Sequence, residues 1–182
     1  MRKLILSSAF IALSIAATPA FAQTAPASRS HLDQMVTSVT KDPASLETMV
    51  TAAVAANPTA ARDIVAAMTK AFPAQAPKIA ESAVAALAVN LPAGDLSLAV
   101  SGVLESTALT LAGGKITQPD LNNAISECLA AAESALTRSG LSNEFAQQTV
   151  VVASSNLAAR LPSADLGSAV AAPVGGSDSK RK

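Results

Sequence analysis

The sequence predicts an all-α protein, on three observations. Apolar residues recur at helical spacing, as in Leu32, Met35, Val36 and Val39, which fall at i, i+3, i+4 and i+7. Prolines recur as well: Pro43, Pro58 and Pro73 are fifteen residues apart and Pro92 follows after nineteen. Proline costs about 3 kcal/mol inside a helix but little in its first turn, so each of these marks a helix start. Finally, no segment shows the alternation of a strand; the nearest, Thr149 to Val152, sits inside a helical pattern. The expected architecture is about eight short Ala-rich helices with Pro/Gly breaks, as an antiparallel helical-repeat array or a compact bundle.

In chain order, a processing segment comes first. Arg2 and Lys3 precede an apolar run from Leu4 to Ala17, and Ala20-Phe21-Ala22 places small residues at −3 and −1 of a cleavage site. Residues 1–22 are therefore expected to be a cleaved signal peptide, with cleavage after Ala22 and export to a bacterial periplasm or beyond. No Cys follows the apolar run, which argues against a lipid-anchored version. Residues 23–29 read as a flexible lead-in, 30–172 as a single helical domain with internal repeats, and 173–182 as a disordered, basic-tipped tail.

Within the domain, Ser30 is expected to cap the first helix, with Asp33 completing a capping box, and Lys41 to close it. Asp42-Pro43 restarts a helix as an N-cap followed by Pro. Six and seven residues past the fifteen-spaced prolines lie Met49-Val50, Ile64-Val65 and Ile79-Ala80, with Val54, Met68 and Val84 ten or eleven past them. That spacing implies helices of about thirteen residues, roughly 20 Å long. Further helices are expected from Ala93 to about Leu111, stopped by Gly113-Gly114, and from Gln118 to Arg138, capped by Thr117 and ended by Ser139-Gly140. Another runs from Ser142 to Leu161-Pro162, and a last short one reaches Ala172.

One string occurs twice. Ala83 to Val100 (AVAALAVNLPAGDLSLAV) and Ala153 to Val170 (ASSNLAARLPSADLGSAV) share nine of eighteen positions, with Leu-Pro, Asp-Leu and Ala-Val in register. Together with the proline spacing, this points to a helix–Pro–helix unit used more than once.

Composition narrows the chemistry. Removing Arg2 and Lys3 leaves eleven of thirteen basic residues against thirteen acidic ones, a net charge of −2 that does not suit nucleic acid. Phe72 and Phe145 are the only aromatics after Ala22, so no stacking platform is expected. No later apolar run is expected to span a membrane. Cys128 is the single cysteine and shares an apolar face with Leu121, Ala124, Ile125, Leu129 and Ala132, where it reads as a small buried hydrophobe. His31, the only histidine, is expected as a solvated helix-end residue. One His and one Cys suggest no catalytic, metal or cofactor site.

Gly113-Gly114-Lys115-Ile116-Thr117 differs from a phosphate loop, with Leu109 where a Gly is needed and Ile116 directly after the Lys. Asp63, Asp95, Asp120 and Asp165 recur ahead of paired apolar residues and read as first-turn acids facing the helix dipole, Asp63 lying about a turn deeper than the others. Lys180-Arg181-Lys182 reads as a solvating tip. The function expected is that of an exported, non-enzymatic helical protein acting through protein–protein contacts or self-association. The alternative is a carrier holding a small hydrophobic ligand between helices.

Overall fold

The structure, a computed structural model, describes residues 28–161. Its elements are α1 (Arg29–Lys41), α2 (Leu46–Ala56), α3 (Ala61–Ala71), α4 (Ala76–Asn90), α5 (Ala93–Ala112), α6 (Gln118–Arg138) and α7 (Asn143–Arg160). Among the described residues there are seven α-helices and no strand, so the all-α expectation holds. The expected helix ending at Ala172 lies outside the described residues, as do the signal segment, most of the lead-in and the tail. The helices are not uniformly short: α5, α6 and α7 run to 20, 21 and 18 residues.

The prolines act one step differently from expectation. Pro43, Pro58 and Pro73 each open a 3-10 turn of three residues, and the α-helix starts after it. Asp63 therefore falls in the first turn of α3, not a turn deeper. Asp42, Asn57 and Phe72 each precede a proline and share one backbone conformation, with φ of −135, −144 and −132° and ψ of 87, 79 and 64°. Clash with the proline ring disfavours the α region for such a residue, and the proline itself has no N–H to continue the preceding helix; Ala76, before Pro77 at the start of α4, is helical nonetheless (φ −51°, ψ −42°).

Two further corrections concern the first helices. Ser28, not Ser30, caps α1: its Oγ accepts from the backbone N–H of His31 at 3.4 Å. Arg29 is then the first helical residue, and Asp33 lies too far along to close a capping box. Met49 is only partly buried, and the Oγ of Ser45 donates to its Sδ at 3.6 Å. The other proline-spaced positions are core: Val50, Val54, Val65, Met68, Ile79, Ala80 and Val84 are all 0 % exposed.

Alternate helices lie against one another more extensively than successive ones. α4 lies between α2 and α6, α3 packs on α5, and α5 packs on α7. Small residues make this close approach possible: Ala76, Ala80, Ala83 and Ala86 sit in the core face of α4 beside Ile79, Val84 and Leu87. α3 and α5 run in the same direction. The Oγ of Ser106 donates to the carbonyl of Arg62 at 2.9 Å, and further along Thr69 and Lys70 border one groove with Leu109 and Leu111.

By length and composition alone α5, with 20 residues and a mean hydropathy of 1.2, is long and apolar enough to cross a membrane. Asp95, Glu105 and several Ser, Thr and Gly residues interrupt the run, so it does not read as continuous in the sequence. In the fold 56 % of that window is buried against neighbouring helices, as suits a core helix.

Candidate binding surface over α5

Pro92 sets the entry of α5 with its backbone extended (φ −66°, ψ 153°), so helical phase counts from Ala93. Leu96, Val100 and Val103 then fall on one side and are at most 1 % exposed. Leu98, Gly102, Glu105 and Leu109 fall at i, i+4, i+7 and i+11, a second stripe pointing away from those residues. Leu98 is 79 % exposed and Leu109 41 %, so both ends of this stripe are open apolar sites.

The middle of the stripe is covered by charge. Arg62 of α3 and Arg160 of α7 reach Glu105 from opposite sides, at 3.4 Å and 2.9 Å to its two carboxylate oxygens. The glutamate is 9 % exposed, while more than half of each arginine side chain stays in solvent. Glycine at 102 permits this arrangement, since a Cβ there would stand 3.0 Å from the Cδ of Arg62. The two arginines thus satisfy a buried carboxylate and keep donors free on the outer side.

A groove opens at each end of the stripe. The one around Leu98 has a volume of about 510 Å3 and is bordered by Pro58, Arg62, Leu91, Asp95 and Asn156. The one around Leu109 is larger, about 970 Å3, with Lys70, Lys115, Asp120 and Glu127 on its rim and Pro73, Pro77 and Ile116 among its apolar walls. Gly113 to Ile116, most of the turn after α5, form part of that second wall. Gly113 ends α5, and the Thr117 side chain accepts from the backbone N–H of Asp120 at 3.4 Å, so the turn acts as C-cap and N-cap. Val89, 80 % exposed, lies two residues before the Leu91-Pro92 break.

The residues singled out from sequence are dispersed. Asp95 borders the first groove, Asp120 the second, and Asp63 is exposed on α3; Asp165 lies outside the described residues. His31 is exposed in the first turn of α1. Cys128 is buried at 2 % exposure, and its thiol is pushed up from 9.0 to about 12, first by loss of solvent and then by the charge of Glu127. Such a thiol is a poor nucleophile and a poor metal ligand. Among the described residues no three His, Cys, Asp or Glu side chains gather where they could hold a metal ion.

Sequence reasoning missed Arg62, Leu98, Gly102, Glu105 and Arg160 as a set. A signal was present, because a Gly and a Glu three residues apart interrupt the apolar α5 run, and mid-helix Gly costs about 1 kcal/mol against Ala. The arginines that meet them are 43 and 55 residues away in sequence from Glu105. Compared with protein-family models, curated proteins and solved structures, the chain matches none.

Proposed function

We propose that this chain is an exported, non-enzymatic helical-repeat protein of the bacterial envelope, acting through protein–protein contacts or self-assembly on the surface over α5. The observation that carries the proposal is Leu98, a large apolar side chain 79 % exposed beside a groove. Leu109 continues the same stripe eleven residues on, about 16 Å along the axis at 1.5 Å per residue. Two apolar anchors with exposed guanidinium groups between them suit an amphipathic partner segment bearing a carboxylate. Export is supported by the Arg2–Ala22 signature, and the repeat by the fifteen-residue proline spacing and the duplicated Leu-Pro string.

The test is a pair of charge substitutions, Leu98→Glu and Leu109→Glu, compared with the parent by sedimentation and by capture from a periplasmic extract. At least about tenfold weaker association in Leu98→Glu is expected, the loss of one modest anchor. A parent that stays strictly monomeric and captures nothing overturns the proposal. The carrier alternative rests on the 970 Å3 groove, a volume in the range of small-ligand sites. Native mass spectrometry of the exported protein would show retained extra mass if that is its role.

A further inference from the structure

Helical threonines in this fold commonly satisfy their hydroxyl on the turn behind them. Thr37, Thr40, Thr107, Thr110 and Thr137 each donate from Oγ1 to the carbonyl four residues back, at 2.7 to 3.0 Å. Thr69, in α3, does not. It is 0 % exposed, and its Oγ1 has no hydrogen-bond partner among the described residues. A buried hydroxyl in that position has given up water and gained nothing in return, so it favours any acceptor brought to it.

Thr69 borders the 970 Å3 groove where α3 and α5 end. The inner lining is otherwise apolar: Leu111 is buried, and Pro77, Ile116 and Ala124 are half-buried. The rim carries four exposed charges, Lys70 and Lys115 against Asp120 and Glu127. Neither lysine makes an ion pair among the described residues, whereas Asp120 already accepts from the Thr117 hydroxyl at 2.6 Å. Thr69 and Lys70 are neighbours on α3, so an unpartnered hydroxyl and an unpaired ammonium belong to one wall. Asp120 and Glu127 belong to the α6 wall, seven residues and about 10 Å apart along it.

We propose that this groove holds a small amphipathic carboxylate. Its head accepts from Thr69 Oγ1 and pairs with Lys70 and Lys115, and its alkyl body lies against Leu109, Ile116 and Pro77. A carboxylate has about four acceptor sites on two oxygens, enough to take the hydroxyl and an ammonium together. The acidic wall limits the head to one charge. A phosphate dianion would be repelled by Asp120 and Glu127 about as strongly as the two lysines attract it. An amine would meet both lysines as like charges. A wall about 10 Å long suits a medium-length alkyl chain such as that of decanoate. This assignment rests on the carrier alternative for the same groove and is independent of contacts at Leu98, which lies in the other one.

Calorimetric titration of the full exported chain with decanoate, decanol and decylamine, each below its micellar concentration, provides the test. Saturable one-to-one binding of decanoate is expected, with decanol and decylamine at least about tenfold weaker, as for loss of a charge-assisted hydrogen bond. Thr69→Val removes the hydroxyl and keeps the branched shape. It is expected to bind decanoate about tenfold more weakly while unfolding at the parent's temperature or above, since a partnerless donor has gone. Lys70→Gln and Lys115→Gln are expected to weaken binding by up to about fivefold each, and by less in high salt. Decanol binding as tightly as decanoate overturns the carboxylate assignment and leaves the carrier alternative standing. So does a Thr69→Val protein with the parent's affinity. Decanoate uptake that never saturates, or no binding of any of the three, also overturns the assignment. The carrier alternative falls with it when native mass spectrometry of the exported protein shows no retained mass.

Discussion

From Asp42 to Ala76 a single residue separates each α-helix from the 3-10 turn that opens the next, whereas five residues lie between α5 and α6 and four between α6 and α7. The early junctions share a backbone conformation although their residues are an Asp, an Asn and a Phe. The late ones rely on side chains: Thr117 and Ser142 accept from the N–H three residues on, and Gly140 adopts φ +86° ahead of α7. The early half is thus phased by proline sterics and the late half by caps and turns. A one-residue hinge transmits helix phase from each element to the next, and a four- or five-residue turn does not.

The sharpest way to break that contrast is a one-residue insertion. Alanine inserted between Asn57 and Pro58 lengthens the one-residue hinge and shifts α3 relative to α2, moving Ile64, Val65 and Met68 out of their core positions. A loss of roughly 4 kcal/mol or more is expected, the range reserved for disrupted cores. The same insertion between Gly114 and Lys115 lengthens an exposed turn and is expected to cost less than about 1 kcal/mol. Urea unfolding of both proteins measures the difference. Equal tolerance would show that the hinges do not set the phase.

This contrast also explains which parts of the fold could be read from the chain. Helix boundaries were readable because Pro, Gly and capping residues act locally, within three or four positions of themselves. The α1 cap was missed because Ser28 and Ser30 are chemically equal candidates, and only the backbone at 28, extended at φ −64° and ψ 142°, separates them. The Arg62–Glu105–Arg160 cluster was not readable, since pairing across three helices depends on how they stack. Composition alone does not separate Leu98 from the buried leucines of α5. Its exposure follows from phase, once Leu96 and Val100 are known to face inward.

Next in size come core truncations on α4 and α6. Ile79 and Leu136 are both 0 % exposed, one in each half. Ile79→Ala and Leu136→Ala are each expected to cost about 2–5 kcal/mol. Because α4 and α6 pack extensively, both should lower a single unfolding transition. Two separated transitions would show the halves to be independent units.

Cys128 gives a pH handle on the late half. Its folded thiol is raised from 9.0 to about 12, so the protonated form is the one the fold favours. The contribution is fully present below pH 9 and is lost as pH rises towards 12. Cys128→Ala is expected to remove that part of the alkaline destabilisation. In the parent, a thiol reagent at pH 8 should label only as fast as the helix opens. Immediate labelling of the folded protein would contradict burial.

Glu105 ties the halves together, since Arg62 belongs to one and Arg160 to the other. Removing it by Glu105→Ala is expected to cost about 1–3 kcal/mol, the range for a charged hydrogen-bonding group. Part of this is screened by salt because the arginines are more than half exposed. Gly102→Ala should act in the same direction more weakly. It gains helix propensity but displaces the Arg62 side chain that lies 3.0 Å from the new Cβ. A Gly102→Ala protein more stable than its parent would mean that the Arg62 contact adds little.

The smallest effects separate the two devices most directly. At Ser142 the side chain accepts from the N–H of Phe145 at 3.2 Å, and at Thr117 from Asp120 at 3.4 Å. Ser142→Ala and Thr117→Ala should each cost about 1 kcal/mol, as N-cap removals do. Asp42 also makes a side-chain bond, to the N–H of Ala44 at 3.2 Å. There, however, Pro43 has no N–H to satisfy, and the Asp42 carbonyl is engaged by the Ser45 N–H at 3.1 Å and by its hydroxyl. Asp42→Ala is therefore expected near the low end of the capping range, about 0.5 kcal/mol. Thermal unfolding of the three variants ranks them. If Asp42→Ala proved as costly as Ser142→Ala, the early helices would depend on caps as the late ones do, and proline would lose its place as the element that sets their phase.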